Sequence, residues 1–489
     1  MRVLKFGGSS VADADRIRRV VSIVAAERAH GPIVVVVSAL GGVTDELVAL
    51  ADGAPEEREP LKTAIDRILN RHLSVIAELS PTDDDTRSEI AATIDELRRL
   101  IIGVGYIGEN PPAVRDRITA IGERLSAPIV ASALRASGQP SVPVSGTEVI
   151  RTDSRHGAAE VASAATSDLA RKRLLGICDA VIPVVTGFIG ADERGTATTL
   201  GRGGSDLTAT VLGAALEADR VEIWTDVNGI FTAPPRVVAG ARPQPYVSYD
   251  EAAEMARFGA TVLFTKTIAP VRELDIPVVV CNTFDPEGPE TWVGREPELP
   301  SGARALASVE HAAVLKIRSA GDATSAAGAV AEVSHRCLMA TMAAGSDEWT
   351  IVAAETDADE LHRDLERCGL QVEFITETSV VSVIGSRLLQ QPWVAGRALE
   401  ALGRRDIALR GVICPSEQVF CMVVDHTDHH RCLTILHDAL MLPHLAGRAS
   451  DAARREALKK GDRDGSTPLH RGSARHDRDR RSTARPPAA

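Results

Sequence analysis

The sequence predicts an α/β protein with a mainly parallel, helix-covered sheet over residues 1–295, followed by a smaller α+β module. Three observations carry that prediction. Four runs read as strands buried on both faces: IVVVVSAL (Ile33–Leu40), AVIPVVTGF (Ala180–Phe188), RVEIWTDV (Arg220–Val227) and IPVVVCNTF (Ile276–Phe284). Continuous apolar runs of this kind suit a parallel sheet with helices on its faces. Amphipathic helical patterns separate them, and from about Ala312 the texture becomes a twofold repeat.

The chain opens MRVLKFGGSSVADADRIRRVV. Val3, Leu4 and Phe6 predict a short buried strand, and Ile17, Val20, Val21 and Val24 predict a helix from about Val11 onward. The Gly-Gly-Ser-Ser link between them lets backbone N–H groups approach an anion, with the helix N-terminus adding favourable partial charge. A tight connection that binds nothing would read the same way. Over about 56–135 the pattern is helical, with apolar residues at i, i+3/i+4 spacing in LKTAIDRILNRHLSVIAEL and RSEIAATIDELRRLII, and Pro111-Pro112 marks a helix start. Such an insertion beside the sheet is expected to wall a substrate cleft. A second glycine turn lies in TATTLGRGGSDLTATVLGAAL, where Asp206 and Leu207 are expected to start a helix. Arg202 inside that turn can clamp a carboxylate through two parallel charge-assisted hydrogen bonds.

The repeats read as two βαββ-type units, each running into a further helix. VLKIRS, a helix near Thr324–His335, LMATMAA, a GSDE turn and WTIVAA make the first, followed by DADELHRDLERC. VVSVIGS, a helix near Val394–Gly403, ALRGVICP, a SEQ turn and VFCMVVD make the second, followed by DHHRCLTILHDAL. Their boundaries are placed at 306–377 and 378–445, as a regulatory module or a dimerisation platform. Residues 446–489 are expected to be a disordered charged tail; from Asp451 onward 11 Lys/Arg stand against 6 Asp/Glu with almost no large apolar residue.

A chain of 489 residues with 44% hydrophobic and 25% charged content is long enough for two or three domains. A net charge of -12 and 3% aromatics argue against nucleic-acid binding. No run approaches membrane-spanning length and the N-terminus lacks a signal-peptide pattern. Seven dispersed cysteines without a CxxC pair fit reduced thiols in a cytoplasmic enzyme.

Five blocks in one order resemble the aspartokinases of the amino acid kinase superfamily: KFGGSS (Lys5–Ser10), VSALGGVTDEL (Val37–Leu47), GERLSA (Gly122–Ala127), TLGRGGSD (Thr199–Asp206) and IWTDVNGIFT (Ile223–Thr232). Order and spacing agree over about 440 residues, and the C-terminal repeats look like tandem ACT domains of βαββαβ type. The resemblance implies a three-layer sandwich, with ATP and Mg²⁺ used to phosphorylate the side-chain carboxylate of L-aspartate to 4-phospho-L-aspartate. This is the first step toward lysine, threonine and methionine. It also implies an amino-acid effector at the ACT domains and a homodimer or higher oligomer.

By the same match, Lys5 is the catalytic cation and Asp206 holds the basic groups in register. Gly7, Gly8 and Ser9 cradle the transferring phosphate. Arg202 takes the substrate α-carboxylate and Glu123 its α-ammonium, with Ser38, Thr44, Gly203 and Ser205 completing the amino-acid pocket. Thr225, Asp226, Phe231 and Arg236 serve the nucleotide. No resident metal ligand is expected; the DHTDHH run (Asp425–His430) reads as a solvated helix cap.

The match frays on the nucleotide side. Pro234 stands where the family writes aspartate, Thr261 where it writes a lysine facing ATP, and Phe264-Thr265 where it writes histidine-proline. In the repeats, Arg336-Cys337 and GSDE replace effector-site residues, whereas Asp406-Ile407 and Ser416-Glu417 remain, so one repeat is expected to have lost lysine or threonine sensing. Two other readings stay open: a kinase of a related amino acid in specialised metabolism, and a non-catalytic regulatory homologue. No fused homoserine dehydrogenase domain is expected.

Overall fold

The computed structural model describes residues 1–53, 58–260, 263–295, 302–318, 323–342 and 348–441. The charged tail, Thr261 and most of the GSDE turn lie outside them. In chain order, β1 (Arg2–Phe6), β2 (Ile33–Val37), β3 (Ser141–Val144) and β4 (Ile182–Thr186) are followed by a two-stranded ribbon, β5 (Ile189–Ala191) and β6 (Ala197–Thr199). Next come β7 (Arg220–Thr225), β8 (Tyr246–Ser248), β9 (Val278–Asn282) and β10 (Thr291–Gly294). Outside the ribbon these form one eight-stranded sheet, ordered β3-β4-β2-β1-β7-β9-β10-β8 and parallel except between β9 and β10.

Strand alternation builds two cores from one sheet. Leu4, Phe6, Val35 and Val37 face one layer and pack with Ile17 and Val20 of α1 (Ala14–Arg28). The same core takes in α2 (Val43–Asp52), α3 (Arg58–Leu79), α4 (Asp84–Ile107) and α6 (Ile121–Ala136), while α5 (Pro112–Thr119) leads into α6. Val3, Val34 and Val36 face the other layer, where they meet Val211 and Leu212 of α9 (Gly204–Ala215). That layer also holds α8 (Ser163–Ala170), after the single turn α7 (Gly146–Val149), and α10 (Tyr249–Arg257) and α11 (Thr265–Arg272). The helical stretch is thus part of the sandwich: α6 is buried along most of its length against β3 and β4. Pro112 stands in the first turn of α5, where its missing N–H is no loss.

Two helix starts differ from the sequence reading. Asp13 caps α1 by accepting from Arg16 N at 2.9 Å, so the chain stays non-helical through Val11–Asp13 and the Gly-Gly-Ser-Ser turn is not at the helix terminus. In contrast α9 begins at Gly204, directly after Gly203 at φ 72°, which places Asp206 in its first turn.

The second module is one six-stranded antiparallel sheet, made from β11 (Gly302–Arg318), β12 (Met339–Met342), β13 (Glu348–Ala354), β14 (Gln371–Ser386), β15 (Leu409–Ser416) and β16 (Val419–Asp425). Its order is β12-β13-β11-β14-β16-β15. The later half of β11 lies between β13 and the start of β14; the earlier half pairs with the rest of β14, which pairs with β16. One unit therefore ends, and the other is completed, within the same two long strands. On one face α12 (Ala323–Val333) and α13 (Glu355–Arg367) cover the first unit, and α14 (Pro392–Gly403) and α15 (His429–Leu440) the second. On the other, Met255 and Ala252 of α10 share a core with Ala305, Val380 and Cys421, so the two modules pack together.

Candidate active site

A cavity of about 710 Å³ opens where β1 and β2 end. Lys5 alternates with Leu4 and Phe6 along β1, so its side chain leaves the sheet on the α9 face and meets the start of that helix. Its Nζ lies 2.5 Å from Asp206 Oδ1, both side chains at most 10% exposed. Gly8, Ser38, Thr44, Glu123, Arg202, Gly203 and Ser205 line the same cavity. A Cβ on Gly8 would come 3.1 Å from the carbonyl oxygen of Ala39, so this glycine lets the turns after β1 and β2 touch. Ser126 Oγ donates to Ser38 O at 2.7 Å and ties α6 to that second turn.

The charges are arranged unequally. Glu123 is 3% exposed; its Oε1 accepts from Ala39 N at 3.1 Å, and its Oε2 has no hydrogen-bond partner among the described residues. Burial pushes its carboxyl up to about 8, against the opposing pull of the Ala39 N–H and the Lys5 ammonium. Arg202 projects exposed from its glycine turn with no acceptor among the described residues. A buried carboxyl with one open oxygen, a buried ammonium and a guanidinium without an acceptor among the described residues together match a small zwitterion carrying a second acid, whose ammonium would favour the ionised form of Glu123.

Two wall residues were not among those expected at the site. Asp116 of α5 is 2% exposed and accepts from His156 Nδ1 (2.8 Å), Gly157 N (3.0 Å), Thr199 N (3.1 Å) and Thr199 Oγ1 (2.6 Å). It pins the 156–157 loop and β6 to the helical wall. Phe264, at the head of α11, closes the opposite side, and a Cβ on Gly203 would lie 2.1 Å from its ring. The D of VRDRITAIGE, seven residues before Glu123, is the available signal for Asp116; nothing local announces Phe264 as a wall.

The residues expected at the nucleotide do not line this cavity, Gly8 excepted. Gly7 N donates to Trp224 O at 3.1 Å, which sets the turn after β1 beside Thr225 and Asp226 at the end of β7. This is the carboxyl edge of a parallel sheet, where nucleotides bind in open α/β folds. Phe231 and Arg236 lie in the following loop. Phe231 bridges to Pro243 and is half-buried, and Arg236 is exposed. The same loop docks on the second module, through Leu306 N to Thr232 O (2.8 Å) and through Ala233 and Val238 packed against α15.

The sequence profile of the amino acid kinase family matches residues 1–282, more than half of the chain. This chain belongs to that family, in its aspartokinase branch. The family chain is 38% identical to the lysine-sensitive aspartokinase 3 of Escherichia coli (strain K12) over 323 residues, 65% of this chain and 69% of the relative. It is 29% identical over 465 residues to the chloroplastic bifunctional aspartokinase/homoserine dehydrogenase 1 of Zea mays, 90% of this chain and 50% of the relative. It thus spans about half the length of the bifunctional plant relatives it matches. Among solved structures, E. coli aspartokinase III in complex with aspartate and ADP (R-state) superposes with a TM-score of 0.82 at 32% identity, covering 90% of this chain and 100% of that one. The complex of that enzyme with lysine and aspartate (T-state) gives 0.73 at the same coverage.

The Pro234 carbonyl accepts from Val237 N (3.0 Å) and Val238 N (2.9 Å), and Pro235 takes the next position of that turn, the one proline favours; nothing in the structure explains proline at 234 itself. Phe264 puts an apolar ring on the Arg202 turn. No helix among the described residues is long and apolar enough to cross a membrane.

Proposed function

We propose that this protein is an aspartate kinase, transferring the γ-phosphoryl group of ATP to the side-chain carboxylate of L-aspartate. The observation that carries the reading is the buried Lys5–Asp206 pair facing Glu123 and Arg202 across one cavity. Glu123 Oε2 takes the substrate ammonium as the partner it lacks, and Arg202 takes the α-carboxylate in a bidentate pair. Ser38, Thr44, Gly203 and Ser205 complete the pocket. The acceptor carboxylate is ionised near neutral pH, its ordinary pKa being about 3.9, so no general base is needed.

The barrier is instead repulsion between that carboxylate and the triphosphate, and it is lowered by positioning and positive charge. Lys5 faces the transferring phosphoryl group, Asp206 keeps its ammonium from swinging away, and Gly7, Gly8 and Ser9 lie along the phosphates. Thr225, Asp226, Phe231 and Arg236 hold the rest of the nucleotide. Mg²⁺ would be held at this edge by Asp206 and by the exposed Asp226, whose Oδ1 accepts from Thr225 Oγ1 at 3.2 Å. When bound, it neutralises charge on the phosphate oxygens.

The two solved complexes, one with aspartate and ADP and one with lysine and aspartate, support the substrate pair and an amino-acid effector, which this reading places at the second module. In the first unit Arg336 is engaged by Asp364 (2.5 Å) and Glu360 (3.2 Å), which supports a loss of sensing there. A homo-oligomer and a cytoplasmic setting complete the proposal; all seven cysteines are free thiols, which suits a reducing compartment. Hydroxamate formation with ATP, Mg²⁺ and L-aspartate tests it. Turnover with aspartate but not glutamate, abolished by Lys5→Ala, is expected; turnover equal in wild type and variant overturns it.

A further inference from the structure

In the pairing of β11 with β14, Val309 faces Val380 and Ala312 faces Thr378, so Glu310 and His311 together oppose Ser379. This bulge lies where one unit of the regulatory sheet gives way to the other, and bulges re-aim side chains. Here it turns Glu310 toward the start of α15. Ser379 Oγ donates to Glu310 O at 2.5 Å, and His426 Nδ1 lies 3.1 Å from the same oxygen, which fixes the bulged backbone.

We propose that Glu310, His429 and His430 form a binding site for a zinc-class divalent ion at this junction. Their ligand atoms all lie within 4.8 Å of one another. Bonds of about 2.1 Å in a tetrahedral site bring ligand atoms to roughly 3.4 Å, so small rotamer changes close the set. His429 is 3% exposed, yet neither of its ring nitrogens has a hydrogen-bond partner among the described residues. An imidazole so placed is costly unless something accepts a lone pair.

The surrounding charges leave Glu310 available. Asp428 pairs with Arg431 at 2.6 Å and Asp425 with Arg410 at 2.7 Å, whereas among the described residues Glu310 has only His430, at 3.9 Å. His311 and His426, stacked at 4.5 Å, form a second triad with Glu310 and supply a further imidazole within reach. Two imidazoles and a carboxylate select zinc-class ions over magnesium or calcium.

The test uses the full chain, stripped with a chelator and titrated with ZnCl₂ by calorimetry, with Co²⁺ absorption as a second readout. One saturable ion per chain is expected, with a tetrahedral cobalt spectrum and a raised melting temperature. Glu310 and His430 are exposed, so Glu310→Gln and His430→Ala keep the fold; each is expected to weaken binding by about ten- to a hundredfold or more. Absence of saturable binding, or binding unchanged in the double variant, overturns the proposal. Neither result alters the kinase reading, which rests on a different cavity.

Discussion

Lys5, Asp206 and Glu123 are buried and held by sheet ends and helix starts, whereas Asp226 and Arg236 are exposed on a segment that leans on the second module. On the first side, three elements far apart in the chain converge on groups whose positions follow from backbone geometry. On the second, the 226–244 loop owes its shape to Leu306, α15 and its own turns. The difference teaches where regulation can act. A change in the second module reaches the loop proposed for the nucleotide through direct packing, and reaches the proposed aspartate pocket through the kinase sandwich and through Gly259, which lies against Ser308 of β11.

Lys5→Ala should break the buried side most. One cation about 4 Å from a phosphoryl oxygen contributes on the order of 4 kcal/mol at an effective dielectric of about 20, so kcat should fall about a thousandfold while KM for ATP moves less. Steady-state kinetics with both substrates checks this.

Glu123→Gln comes next, with KM for aspartate rising roughly a hundredfold through loss of a charge-assisted pair worth about 3 kcal/mol. Because burial raises this carboxyl to about 8, the folded state holds a proton that the unfolded chain releases near its ordinary value. That contribution to stability is fully present at low pH and is lost as pH rises from about 4.5 toward about 8. The glutamine variant should lack this decline in denaturant titrations across the window. In the wild type, KM for aspartate should fall as pH passes upward through it.

Asp116→Asn should cost about tenfold in kcat/KM for aspartate and roughly 2 kcal/mol of stability, since an amide cannot accept from all four donors. His437→Ala then sharpens the comparison. His437 Nε2 lies 3.1 Å from Thr232 Oγ1, so its loss should raise KM for ATP a few-fold and leave KM for aspartate unchanged. Equal shifts in both would erase the distinction between the two sides.

The cavity was legible where its residues sit in contiguous blocks. Lys5, Arg202 and Asp206 announce themselves because a charge inside or beside a glycine turn is conspicuous, and the four apolar runs became β2, β4, β7 and β9 with their ends trimmed. Asp116 was not legible, because its carboxylate is explained by partners 40, 41 and 83 residues away. The start of α1 was misjudged because Val11 continues the apolar spacing, while Asp13 satisfies the helix N-terminus further on. The histidine run was expected to be solvated, but His429 is 3% exposed because the start of α15 packs against β11 and β14, pairings that local sequence does not announce.

The long strand β11 has a practical consequence for grafting. Its first half completes the sheet of the second unit and also carries Arg304, bonded to Glu251 of α10 at 3.1 Å. A chimera exchanging the second sensor between relatives must therefore import 302–309 along with 378–441, and must match the kinase surface that those residues touch. A single cut at the bulge would part 302–309 from its partners on β14, whereas a junction before residue 302 keeps that sheet whole and leaves the contact of Arg304 with Glu251 to be matched.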